Sequence, residues 1–232
     1  MKGKDVMENF FTNAFDSMSA DAKESFYKTV FLNDPSEYAM QLRYIYYSAL
    51  LKSMGRNVTI GVGVKIVNPQ YISLGDNVMI SDHVTLIARG PSGITIGSNV
   101  ILNDHVYLDT ESQDTGYINI SDSVYLGTGT TLFGHSGLEI GDHVLMAQNI
   151  TLTPYSHIFE DCGRNIIEQG GHTQKVVIGR DSYIGMGVCI MYSGNIGEGS
   201  VIGAGSVVVK PIPPYSIAVG SPAKVIRHRE AK

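Results

Sequence analysis

A six-residue rhythm constrains this chain more than any other feature. An aliphatic residue, often followed by glycine, starts each unit: Leu74, Ile80, Leu86; Ile96, Leu102, Leu108; Ile120, Leu126, Leu132; Ile140, Met146, Leu152; Ile178, Ile184, Ile190; Ile196, Ile202, Val208. Four positions further on stands a valine or a small residue, as at Val78, Val84, Val100, Val106, Val124, Val144, Val188, Ser200 and Ser206. Each unit therefore has two inward positions. Six residues hold one short strand and a turn, and units grouped in threes make a coil with three flat sides, so the expected fold is mainly β: a parallel β-helix of hexapeptide repeats. Gly75, Gly97, Gly141, Gly179, Gly197 and Gly203 suit corners that a Cβ would crowd. The runs Gly197-Glu198-Gly199 and Gly203-Ala204-Gly205 look superficially like nucleotide-binding loops. Such a loop needs a single strand-turn-helix, not a glycine in nearly every unit.

Successive coils start 22, 24, 20, 38 and 18 residues apart. The one long gap leaves a 20-residue excursion, residues 158–177, beginning just after His157. A long loop in a compact repeat fold points to function. Upstream, residues 1–55 form a helical segment. Asp34-Pro35-Ser36-Glu37 reads as N-cap, N1 proline and N3 glutamate; Tyr38, Leu42, Ile45, Ala49 and Leu50 then share a face, and Gly55 is the stop. The repeats occupy 56–213, and a locally basic tail, 214–232, follows.

Composition narrows the function. Apolar residues make up 43% and charged ones 17%, as in folded globular proteins, and a net charge of −5 gives no general attraction to nucleic acid or anionic membrane. The start lacks an apolar signal core and no apolar run is long enough to span a membrane, so the expected location is cytoplasmic. Cys162 and Cys189 are read as free thiols.

The hexads, the Ser156-His157 pair ahead of the long loop and the run from Ile196 to Arg229 resemble the hexapeptide-repeat acyltransferases over roughly residues 56–229. Within that family the chain looks most like sugar and capsular-polysaccharide O-acetyltransferases. The resemblance implies a left-handed β-helix, since parallel crossovers are otherwise right-handed, and a homotrimer. It also implies acetyl-CoA as acyl donor, a sugar or polysaccharide acceptor, and no metal. His157 stands 17 residues after Ile140, the offset of the family's catalytic histidine. An imidazole titrates near neutrality and can take the acceptor hydroxyl's proton, then return it to the departing thiolate. His83, His105 and His143 fall at the fourth position of their units and read as surface residues.

By resemblance, Gly185, Ala204, Lys210, Lys224 and Arg227 line the coenzyme A groove, the three cations facing its phosphates. Where sugar acetyltransferases carry an Asn, this chain has Gly127, which turns attention to Asn149; where they carry a Trp, it has Tyr183. Asp161, Glu168 and Gln169 in the excursion are candidates for sugar hydroxyls. Ser156 and Cys162 are conceivable nucleophiles, but direct transfer is favoured, because Ser156 falls at an inward position and Cys162 on the loop. Two alternatives stay open: N-acetylation of an amino sugar or amino acid, and a metal-dependent hydratase, whose short-range His-x4-His pair is absent.

Overall fold

The structure, a computed structural model, describes residues 17–230. Its core is a parallel β-solenoid with three sheets. The first stacks Ser53–Met54, Ile72–Leu74, Ile94–Ile96, Ile118–Ile120, Leu138–Ile140 and Val176–Ile178. The second runs from Thr59–Ile60 through Met79–Ile80, Ile101–Leu102, Tyr125–Leu126, Leu145–Met146, Tyr183–Ile184 and Val201–Ile202 to Ser216–Val219 and Lys224–His228. The third stacks Lys65–Val67, Thr85–Ile87, Tyr107–Asp109, Thr131–Phe133, Thr151–Leu152, Cys189–Ile190 and Val207–Val208.

Every aliphatic unit start from Leu74 to Val208 is buried, as are the partners four positions on. The pairing is in register, Leu102 against Leu126 and Leu126 against Met146, so like side chains form columns through the interior. Full burial of such a side chain stabilises by about 1.5–3 kcal/mol. The turns use the left-handed backbone region at the fourth position: Asn57, Asn77 and Asn99 have φ of 56°, 56° and 58°, and His83, His105 and His143 lie at 58–59°. Asparagine tolerates that region and its short amide bonds locally. Here the amides also link coils, Asn57 Nδ2 donating to Asn77 Oδ1 at 3.1 Å and Asn77 Nδ2 to Asn99 Oδ1 at 3.0 Å. The glycine after the aliphatic residue answers a different demand, close approach between coils: a Cβ on Gly179 would lie 2.3 Å from the Glu198 nitrogen.

From the first to the second sheet and from the second to the third, unit starts are always six residues apart. From the third back to the first, the intervals from Leu86, Leu108, Leu132, Leu152 and Ile190 are 10, 12, 8, 26 and 6. All the irregularity is thus concentrated at one corner of the prism, the third.

The structure departs from the sequence expectations in three places. A coil precedes Leu74, built on Met54, Ile60 and Ile66, with strand Ser53–Met54 already paired to Ser73–Leu74. Of the expected helical segment 1–55, residues 1–16 lie outside the described residues; Ala20–Val30 forms α1 and Glu37–Ser48 α2, and the segment ends in the strand Ser53–Met54. The N-cap of α2 is Ser36, whose hydroxyl accepts from the Ala39 N–H, while Asp34 caps Ser36 instead. The buried face of α2 is Ala39, Arg43 and Tyr47, and Tyr38, Ile45 and Leu50, read from the sequence as sharing one apolar face, are exposed. Arg43 reverses the expected face because its guanidinium finds carbonyls: Nε donates to Ile60 O and Nη1 to Phe31 O and Asp34 O, each at 2.8 Å. Burial pushes the Tyr47 phenol up to about 12. The third departure is at the tail, where Ser216–Val219 continues the second sheet and Lys224–His228 turns back antiparallel against it.

Candidate active site

The chain leaves the solenoid earlier than the hexad frame implies. After Leu152 it forms an antiparallel hairpin, Tyr155–His157 against Gly171–Thr173, and rejoins the first sheet at Val176. Ser156 is therefore not an inward coil residue, as expected, but a half-buried strand residue opposite His172. His157 sits at the far end of the hairpin strand, exposed and opposite Gly171. Strand alternation puts Tyr155 and His157 on the same side. Their rings meet edge to face at 4.8 Å, and the Tyr155 hydroxyl lies 3.3 Å from His157 Nδ1.

Below them the third corner of the preceding coils is aromatic. Thr131 pairs with Thr151 in register, so residues 20 apart stack, and His135 lies parallel to Tyr155 at 5.0 Å. Phe133 and Tyr107 extend the column downward. His135 Nδ1 and the Ser136 hydroxyl are buried without a hydrogen-bond partner. Burial lowers the His135 imidazole below its ordinary value, against the opposing pull of Glu111 and Asp109. Arg89 grips the fully buried Asp109 carboxylate with Nε at 2.8 Å and Nη2 at 2.6 Å; Tyr107 Oη and the Glu111 N–H also donate to it. Burial by itself raises the Asp109 carboxyl, yet these donors hold it below the usual value.

Beyond its hairpin base the excursion closes on itself. The Gln169 amide donates to Asp161 O and Arg164 O and accepts from the Asp161 N–H, and the Asp161 carboxylate takes the Gly163 N–H. Glu168 ends a 3-10 turn with its carbonyl bonded by Arg164. Asp161, Glu168 and Cys162 are all exposed, and Cys162 and Cys189 are free thiols.

The other expected site residues lie elsewhere on the chain. Asn149 is at the second corner, φ 57°, with the strand Thr151–Leu152 between it and the hairpin. Tyr183 points outward from the second sheet. Gly185 and Ala204 also belong to the second corner, in successive coils; a Cβ on Gly185 would lie 2.6 Å from the Ala204 nitrogen. Beside them the surface is low, because a Cβ on Gly187 or Gly205 would meet nothing within 4 Å. Lys210, Lys224 and Arg227 are exposed, and among the described residues none of them is in a salt bridge. Among the described residues no hydrogen bond or ring contact within the chain links these residues to His157. Among the described residues no three His, Cys, Asp or Glu side chains cluster as a metal site, and no helix is long and apolar enough to cross a membrane.

No family model matches the chain. It is 39% identical over 115 residues to a "probable acetyltransferase" of Mycobacterium tuberculosis, covering 50% of this chain and 38% of the relative. It is 38% identical over 110 residues to galactoside O-acetyltransferase of Escherichia coli, covering 47% and 53%. Its relatives are acetyltransferases. The chain spans about half, or less, of the length of these relatives. In three dimensions it is similar to AntD, an N-acyltransferase from Bacillus cereus in complex with dTDP and 3-hydroxybutyryl-CoA, at 24% identity and a TM-score of 0.56, covering 85% of this chain and 91% of that one. That likeness establishes the shared fold, a parallel β-solenoid as the hexads require.

Sequence reasoning missed Tyr155, His135 and Gly171. The alternation Tyr155-Ser156-His157 and the 20-residue offset from His135 to Tyr155 were the available signals. They become meaningful only once the register of the third sheet is known.

Proposed function

We propose that this protein is an acetyl-CoA-dependent O-acetyltransferase that moves an acetyl group to a hydroxyl of a sugar or polysaccharide. The observation that carries the reading is an exposed imidazole at the end of a short hairpin, fixed to the solenoid through Tyr155 and carried on a chain related to acetyltransferases. His157 Nε2 takes the proton as the acceptor oxygen attacks the thioester carbonyl. The tetrahedral adduct then collapses, the C–S bond breaks, and the proton passes to the sulfur of coenzyme A. Coenzyme A lies along Gly185 and Ala204, with its phosphates facing Lys210, Lys224 and Arg227. Asn149, Tyr183, Asp161 and Glu168 are assigned to the acceptor side.

Because His157 and the strip at Gly185 and Ala204 lie on different corners of one prism, the complete site forms between neighbouring copies, in a homotrimer. The outward row of the second sheet supports this: Met79, Leu145 and Tyr183 are 47%, 45% and 42% exposed, in line with Ile101, Tyr125, Val201 and Ile217. Parallel sheets ordinarily have both faces covered. AntD, an N-acyltransferase on the same fold, keeps amino acceptors as the second reading.

Initial rates of acetyl transfer from acetyl-CoA to matched panels of glycosides and amino sugars test the proposal, with wild type and His157→Ala side by side. Transfer to hydroxyls that vanishes in the variant supports it. Transfer confined to amines replaces the O-acetyl reading, and undiminished transfer by the variant removes the base.

A further inference from the structure

We infer that Tyr155 is a positioning residue for His157, fixing which ring nitrogen carries the proton, and that His135 and Gly171 exist in their present form to hold the Tyr155 ring in place. This rests on His157 acting as the base. The hydroxyl of Tyr155 lies 3.3 Å from His157 Nδ1, and no other side chain among the described residues bonds that ring. A phenol oxygen can donate or accept, so the contact is compatible with either tautomer in principle. For Nε2 to be a base it must be unprotonated, which requires Nδ1–H to donate to the phenol oxygen. The same bond survives protonation, since both nitrogens of an imidazolium are donors.

The phenol is confined on two sides. Its ring stacks on His135 at 5.0 Å with planes 23° apart. Gly171, across the hairpin, leaves the space that the phenol occupies: a Cβ there would sit 2.2 Å from the Tyr155 hydroxyl and 2.3 Å from Cζ. The φ of Gly171 is not in the left-handed region, so the demand for glycine is one of space, not of backbone conformation. His135, half-buried and held toward its neutral form, supports the ring without placing a second cation beside His157. Two i, i+2 residues on a strand ordinarily only share a face; here the missing side chain opposite lets one reach back to orient the other.

The direct test is nitrogen-15 NMR of the full chain labelled at histidine, with His157→Ala identifying the His157 signals. Wild type is expected to show His157 mainly with the proton on Nδ1. Tyr155→Phe keeps the ring and the stack but removes the oxygen, and should move His157 toward the opposite tautomer. It should also lower kcat roughly tenfold with little change in the KM for acetyl-CoA, the pattern of lost orientation without lost donor binding. Gly171→Ala, which displaces the phenol instead of removing its oxygen, should shift the tautomer the same way. Identical tautomer populations in wild type and Tyr155→Phe would overturn the inference, as would an unchanged kcat in a background where His157→Ala is inactive. Failure of the base reading looks different: His157→Ala then turns over normally, whatever the tautomer signals show.

Discussion

His83 and His105 face each other on the second corner, and His135 and His157 share the third with Tyr155 between them. The first pair stacks at 5.1 Å with planes only 10° apart, both at left-handed turn positions and both exposed. The constant six-residue interval gives each the same backbone and the same neighbour one coil away, so regularity makes the two residues equivalent. His135 lies in a turn and His157 at a strand end, and they share no common environment: one is half-buried with an unpartnered Nδ1, the other exposed and hydrogen-bonded. Where the interval varies, each residue acquires its own surroundings.

The largest effect expected from breaking this contrast is on turnover. His157→Ala should lose about 10²- to 10⁴-fold in initial acetyl-transfer rate, the usual contribution of a positioned general base, while His83→Ala and His105→Ala stay within about twofold. Next comes stability at the same corner. Asp109→Asn weakens an acceptor fully buried beneath Arg89, Tyr107 and the Glu111 N–H, and should cost about 1–3 kcal/mol in urea unfolding. Asp82→Asn, at the second corner, touches an exposed carboxylate that accepts from the Val62 N–H at 2.7 Å, and should cost less than about 1 kcal/mol.

A smaller effect is a pH slope. Burial holds His135 below the ordinary imidazole value, so on acidification the unfolded chain gains a proton before the folded one. Its contribution is therefore complete above the unfolded value of 6.5 and declines as pH falls toward the lowered folded value. Melting temperatures at pH 7.5 and 5.5 should converge in His135→Phe relative to wild type, with Glu111 and Asp109 left in place. Smallest of all, His105→Asn puts another residue tolerant of the left-handed region at φ 59° and should change unfolding free energy by less than about 0.5 kcal/mol. A larger loss would mean that the ring stack at the second corner matters after all.

The solenoid was legible because its signal repeats: an error in one hexad is corrected by the next, and Ile140, Met146 and Leu152 announce three sheets at once. The excursion was legible as the one long gap in that frame, between Leu152 and Ile178. The first coil was less so, since Met54, Ile60 and Ile66 adjoin a segment of helical character. The buried face of α2 was misread because hydrophobic periodicity gives no credit to an arginine such as Arg43, whose charge is met by backbone carbonyls contributed from residues 31, 34 and 60. Tyr155 and Gly171 stayed hidden for a related reason. Their relation is antiparallel and local to the excursion, so the period of six says nothing about it, and a glycine required by a neighbour's ring looks in sequence like any other.

The strand Lys224–His228 has a consequence for how the molecule meets others of its kind. A parallel stack has no natural last rung; each strand offers the next a complete set of backbone donors and acceptors. By running the opposite way against Ser216–Val219, this strand puts a foreign polarity at the end of the second sheet, and it brings Lys224, Arg227 and His228 to the border. A coil from another copy arriving there would find the wrong direction and a basic rim. The return strand thus gives the edge of the second sheet a reversed polarity and a row of basic side chains.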